Sequence, residues 1–190
     1  VVVIDDQSTD DTVTIVRALR LPGTDVVVES NASNLGHGPT ALRAYLRGIA
    51  TGADIVLHVD GDGQFRGSDF PRLLELLDEH SVARGIRRGR TDAWYRRVLT
   101  SLVAALAHLM AGRRVPDVNT PMRAYRRDVL ERLLTEVPAD ALVPHVHFSV
   151  IESRAGLSAA DIDVVNLPRR GGDANGTMWG KSRSARLLPP

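Results

Sequence analysis

Short apolar runs rich in β-branched residues alternate along this chain with helix-length amphipathic stretches, and that alternation decides most of what it can fold into. Runs at residues 1–4, 25–29, 54–59, 81–86 and 161–167 read as strands. Between them, helices are expected from Thr9 or Asp10 to Leu21, over residues 40–51, 92–111, 126–137 and 142–155, and after a Ser68 cap that puts Phe70, Leu73, Leu74 and Leu77 on one face. Residues 31–39 and 116–122 read as loops. Parallel strands need a crossover of helix length, so the expected fold is α/β, a mostly parallel sheet flanked by helices, with residues 161–167 at its edge.

With 190 residues, 43% of them apolar, the chain can bury one core, and no internal repeat divides it. One domain over residues 1–168 is expected, followed by an Arg/Gly/Pro-rich tail over 169–190 that is expected to be mobile. The chain starts inside an apolar run without a Met, so it reads as a piece of a longer product. A net charge of +1 gives no global basic field, which argues against nucleic acid as a partner. The absence of cysteine excludes disulfides, thiolate metal sites and a cysteine nucleophile. The longest apolar stretch, 98–112, is too short and interrupted to cross a bilayer, and no signal peptide is visible. A cytoplasmic protein, working at the inner face of the membrane if its acceptor is a lipid, is expected.

The chemistry lies at two strand ends. The first strand runs into Asp5, Asp6 and Ser8, and the third into Asp60, Asp62 and Gln64. Ligands of open α/β sheets bind beyond the carboxyl ends of the strands. Crowded carboxylates there need a cation or donors to balance them, and two carboxylates with an amide suit a hard ion such as Mg²⁺ or Mn²⁺. In isolation Asp-Gly-Asp-Gly is an ordinary turn. Its place after a buried strand, opposite a second acidic strand end, favours the metal reading. A phosphate-accepting receiver domain also carries acidic strand ends, but it needs a lysine on a later strand, and the one lysine here is Lys181 in the tail.

These residues resemble the family 2 inverting glycosyltransferases, most closely the branch of dolichyl-phosphate mannose synthases and polyprenyl-phosphate glycosyltransferases. The strand end Asp5-Asp6-Gln7-Ser8 and the Asp60-Gly61-Asp62-Gly63-Gln64 motif carry the likeness, the latter resembling that family's Asp-x-Asp. Asn34-Leu35-Gly36-His37-Gly38 is similar to its Asn-x-Gly-x-Gly loop, Gly85-Ile86-Arg87 to its Gly-x-Arg, and Arg97 with Ser101 to its acceptor pair. Asp117 to Arg123 is similar to its Asp-x-x-Ser-Gly-Phe-Arg segment, and Arg169-Arg170-Gly171-Gly172 to a late Arg-x-x-Gly. The motifs keep the family's order over nearly the whole chain.

The resemblance implies a GT-A fold and transfer of a sugar from a nucleotide-diphosphate sugar, with inversion, to a polyprenyl-phosphate or glycan acceptor. It implies nucleotide-sugar contacts at Asp5, Asp6, Ser8, Asn34, Gly36, Asp60 and Asp62, and Mg²⁺ or Mn²⁺ held by Asp60, Asp62 and Gln64. It places the acceptor at Arg87, Arg97, Ser101, Arg123 and Arg169, with Arg87 also facing the diphosphate. A hydroxyl acceptor needs a general base, for which Asp117 is the candidate; a phosphate acceptor is already anionic. The alternative is a nucleotide-binding domain that has lost transfer activity and acts as a partner or regulator.

Two departures from the family carry expectations. Its first strand, which lies mid-sheet, is missing here, so a central gap is expected unless something replaces it. Thr120-Pro121-Met122 stands where Ser-Gly-Phe is usual. Among the histidines, His58 is expected to be a satisfied core residue, and His145 and His147, two apart on a helix, to point apart. The apolar positions of the 92–111 helix are read as core, with peripheral membrane contact as the sharper option.

Overall fold

The computed structural model describes residues 1–88, 101, 105–110, 112 and 117–168. The expected tail and most of the 92–111 helix lie outside the described residues, although residues 105–110 are helical.

The chain begins with strand β1 (Val2–Asp5), helix α1 (Thr12–Ala18) and strand β2 (Val27–Ser30). Helix α2 (His37–Ala50) begins earlier than the sequence suggests, because Pro39 falls in its first turn, where a missing N–H costs nothing. Strand β3 (Ile55–His58) follows. The helix expected behind Ser68 has no side-chain cap. It is α3 (Phe70–Glu75), with Pro71 in its first turn and a short 3₁₀ turn on each side. Strand β4 (Val82–Arg88), strand β5 (Arg123–Arg126), helix α4 (Arg127–Glu136), helix α5 (Pro144–Arg154) and strand β6 (Ala159–Val165) complete the described elements.

Two ladders form. β1 and β2 pair in parallel, and the second sheet runs β3-β5-β4-β6. In it β3, β4 and β6 point one way and β5 the other. The expected parallel character holds for all but β5, and β6 is the edge strand expected. The sequence pattern does not reveal β5, since Arg123-Ala-Tyr-Arg reads as the lead-in to a helix rather than as a buried strand. The expected gap is present: β1 and β3 share no ladder, and α2 packs against both.

Alternation along the strands builds two cores. Val82 and Tyr125 face one side, with Leu42 and Tyr45 of α2, Leu130 of α4 and Phe148 of α5. Ala83 and Ala124 face the other, with Leu73 and Leu77 from α3 and its following turn. β1 is less enclosed: Val2, Val3 and Ile4 are half-buried.

Candidate functional site

The end of β1 is a hydrogen-bonded knot. Buried Asp5 accepts the Ser8 amide N–H through Oδ1 at 3.1 Å. Burial pushes its pKa up, but bonds from Ser8, Ser30 and Gln7 outweigh that and leave it below the usual carboxylate value. Gln7 between them takes φ 62°. Asp6 accepts from Leu35 N–H at 2.8 Å on Oδ1 and from Gly36 N–H at 2.8 Å on Oδ2. Asn34 donates its amide to the Asp6 carbonyl at 2.9 Å. Against the effect of burial, bonds from Leu35, Asn31, Thr40 and Gly36 hold the Asp6 carboxyl below its usual pKa as well. The structure thus joins Asp5, Asp6, Ser8, Asn34 and Gly36 in one assembly, in which Asp6 fastens the loop that starts α2.

The residue at the centre of that assembly is one that sequence reasoning missed. Asn31, 1% exposed, donates to Asp6 Oδ1 at 2.7 Å and Thr40 Oγ1 at 2.8 Å and accepts from Arg43 at 2.5 Å. Its carbonyl accepts from the Gln7 side chain. No local signal sets it apart from the other polar residues of its loop.

The end of β3 leads into the second acidic turn. Asp60, Asp62 and Gln64 are half-buried, Asp62 Oδ1 accepts the Gln64 N–H at 3.0 Å, and Gly63 takes φ 74°. Gln64 is also tied to the chain just beyond β6: its side-chain amide donates to Leu167 O at 3.3 Å and its carbonyl accepts Leu167 N–H at 3.0 Å. The Nε2 contact turns the nitrogen end of the Gln64 amide toward Leu167. Among the described residues no set of three or more carboxylate or histidine groups is arranged to hold a metal ion. Asp60, Asp62 and Gln64 bring two carboxylates and an amide to this turn, oxygen donors of the kind that hard ions such as Mg²⁺ take alongside phosphate oxygens and water.

Arg87 and Asp117 form a two-pronged ion pair, Nε to Oδ2 at 2.7 Å and Nη2 to Oδ1 at 2.8 Å. Arg123 departs from its expected place at the acceptor. Its guanidinium is fully buried and donates to Glu152 at 2.9 Å, Ser149 Oγ at 2.6 Å and the carbonyls of Thr120 and Val118 at 2.9 and 3.2 Å. The physical reason is Glu152, itself buried on α5, which needs a cation to balance it. Ser101 is helical and exposed, while Arg97 and Arg169 lie outside the described residues.

The histidines follow expectation. His58 Nδ1 bonds the Pro121 carbonyl at 2.9 Å and its ring stacks on Tyr45 at 4.5 Å. His145 is buried among Tyr45, His58 and Phe148, and His147 is half-buried.

Residues 1–134 match the family model described as Glycosyl transferase family 2. The undecaprenyl-phosphate 4-deoxy-4-formamido-L-arabinose transferase of Edwardsiella ictaluri is 33% identical over 136 residues, 70% of this chain and 41% of its own. The transferase of the same name from Sodalis glossinidius is 25% identical over 176 residues, 92% of this chain and 52% of its own. The chain thus spans about half the length of the curated relatives it matches. Among solved structures, glucosyl-3-phosphoglycerate synthase from Mycobacterium tuberculosis, in complex with Mn²⁺, UDP-glucose and phosphoglyceric acid, is similar with a TM-score of 0.62 at 21% identity. That likeness covers 90% of this chain and 60% of the other.

Proposed function

The chain belongs to glycosyl transferase family 2 and has the GT-A fold, and on that premise we propose that it transfers a sugar from a nucleoside-diphosphate sugar to a polyprenyl phosphate, with inversion at the anomeric carbon. The observation that carries the reading is the turn after β3, where Asp60 is followed by Asp62 and Gln64, bonded to each other, with Gln64 tied to Leu167. In this reading Asp60, Asp62 and Gln64 hold Mg²⁺ or Mn²⁺, and the ion supplies charge stabilisation to the departing diphosphate. Asp5 and Ser8 contact the nucleoside, while Asp6 and Asn34 set the loop around Gly36 against it. Arg87, with Arg97, Ser101 and Arg169, receives phosphate oxygens, for which the planar guanidinium is suited. The similar synthase holds Mn²⁺ and UDP-glucose, which supports the donor class, and the relatives are named for undecaprenyl phosphate, which supports the acceptor class.

Among the described residues no helix is long and apolar enough to cross a membrane. The helical residues 105–110 present Leu106, Leu109 and Met110 to the exterior, Leu109 being 80% exposed. Such a surface supports the reading of peripheral contact with a membrane that carries a lipid-linked acceptor.

Thermal melting with UDP, GDP or dTDP, each with and without Mn²⁺, tests the donor site. A diphosphate at a hundredfold excess over Kd stabilises by about 2.7 kcal/mol. One nucleotide should act only with metal, and Asp62→Ala should erase the effect. A folded chain that ignores all three nucleotides would refute the reading. A chain that binds one of them but never releases product would be a nucleotide-binding domain without transfer activity.

A further inference from the structure

We propose that Asp117 is a positioning residue for Arg87 rather than a base, and that the transfer therefore uses an acceptor with no proton to remove. The inference rests on the transferase reading above. Besides the two-pronged pair, Arg87 Nη2 donates to Asn119 O at 3.1 Å, and the Arg87 backbone N–H approaches Asp117 Oδ2 at 3.3 Å. Both carboxylate oxygens thus accept from the same arginine. Charge-assisted bonds to both oxygens engage the carboxylate with the guanidinium and not with an acceptor hydroxyl. They also fix the plane of the guanidinium, which sets the direction in which it meets a phosphate.

The segment bearing Asp117 is braced from beneath. Arg123 and Ser149 both donate to Val118 O, the latter at 2.8 Å. Thr120 Oγ1 donates to Gly85 O at 2.5 Å, and Gly85 N–H donates to Met122 O at 2.9 Å. Gly85 lies two residues before Arg87. A Cβ at Gly85 would meet the Met122 side chain, Sδ at 2.7 Å and Cβ at 3.2 Å, so Met122 packs directly over the Gly85 backbone. Asp117 takes φ 37°, a left-handed backbone that Asp tolerates better than most residues. A chain of buried contacts from Glu152 through Arg123 to Val118 and Thr120 thereby sets where Asp117 sits, and Asp117 sets Arg87.

With a phosphate monoester as acceptor the electron count closes without a base. A phosphate oxygen gives its electron pair to the anomeric carbon. The bond from that carbon to the donor diphosphate breaks, and the nucleoside diphosphate leaves with the pair. Negative charge passes from acceptor to leaving group and no proton moves. A hydroxyl acceptor would have to hand a proton to a base, which an Asp117 held by Arg87 does not provide.

The experiment is calorimetric titration of farnesyl phosphate, of farnesol, and of UDP, GDP and dTDP with Mn²⁺, into the chain and its Asp117→Asn, Asp117→Glu, Arg87→Lys and Asp117→Asn/Arg87→Lys variants, each checked for folding by melting. Farnesyl phosphate should bind and farnesol should not. Asp117→Asn and Arg87→Lys should each weaken farnesyl phosphate about tenfold or more, the loss of a charge-assisted bond. The double variant should be no weaker than Arg87→Lys, and Asp117→Glu should recover part of the loss. In transfer assays with whichever donor binds, Asp117→Asn should raise KM more than it lowers kcat. It should also keep the acid limb of the pH profile, set by the second ionisation of the phosphate near pH 6. An unchanged farnesyl phosphate Kd with kcat down by about 10²–10⁴ would mark Asp117 as the base and overturn the inference. So would tighter binding in Asp117→Asn, which would make the carboxylate a competitor of the phosphate. If the folded chain binds a nucleotide but not farnesyl phosphate, this inference falls and the donor site stands; if it binds neither, both fall.

Discussion

Asn31 donates its side-chain amide to Asp6 Oδ1 at 2.7 Å, and through that bond the end of β1 is fastened to α2. The amide also reaches Thr40 on the helix, its oxygen accepts from Arg43, and its backbone N–H bonds the Asp5 carbonyl at 2.8 Å. An apolar side chain of similar size replaces none of the side-chain bonds. Asn31→Leu should cost about 3 kcal/mol in urea unfolding, the scale of lost bonds to charged groups in a buried setting. Asn31→Asp should be worse at pH 7 than at pH 4, because a second carboxylate would face Asp6. A midpoint within error of the parent for both variants would contradict this account.

Gly38 is a second place where α2 is fitted to its surroundings. A Cβ there would lie 2.1 Å from the Ala141 carbonyl oxygen and 2.7 Å from Leu142 C, both backbone atoms. Gly38→Ala should lower stability by about 2 kcal/mol through overpacking. Gly67→Ala, where nothing lies within 4 Å of the added carbon, is the matched control and should change the melting temperature little.

Burial, and then the nearby charges of His58, Arg123, His37 and Arg87, hold the His145 pKa well below its ordinary value. In the unfolded chain the group titrates near pH 6.5. The unfolded state therefore binds the extra proton first, and stability falls as pH drops below that value until the folded group titrates too. The slope should approach about 1.4 kcal/mol per pH unit from this residue. His145→Gln should flatten the stability profile between pH 6.5 and 5, measured by denaturant melts at each pH, and an unaltered slope would exclude His145 as its source.

Glu152 accepts from Arg123 at 2.9 Å, from Arg84 at 3.2 Å and from the Tyr125 hydroxyl at 2.6 Å, and it is wholly buried. Glu152→Gln keeps the shape but leaves a fully buried Arg123 without its counter-charge. The expected loss is about 3 kcal/mol or more, since unpairing a buried ion costs far more than the pair contributes. Because Arg123 braces the Asp117 segment, this variant should also weaken farnesyl phosphate, although Glu152 lies on α5, beneath that segment.

The two acidic strand ends are legible in the sequence because their cause is local: a β-branched run fixes the strand, and the acidic turn follows within a few residues. What the sequence hides depends on partners far along the chain. Arg123 has the look of a ligand-binding arginine, and it is inward-facing because Glu152 sits 29 residues later. β5 is unreadable for the same reason, since its two arginines mask a strand whose burial is supplied by its neighbours on both sides. Ser68 offers a cap for the helix behind it, whereas Pro71 sets where α3 begins. Asn31 carries no mark in its own loop, and its importance comes from Asp6, Thr40 and Arg43 converging on it.

The break between β1 and β3 has a consequence for motion. β1 and β2 pair with each other, while β4 is hydrogen-bonded on both sides. Amide protons of β1 and β2 are therefore exposed to solvent through a smaller opening than those of β4, and hydrogen exchange should release them first. The strand that ends in Asp5 belongs to the less extensively paired part of the described fold, and the strand that carries Arg87 to the more extensively paired part. A nucleotide that joins them would slow exchange mostly in β1 and β2, on the side where the protein has more freedom to lose.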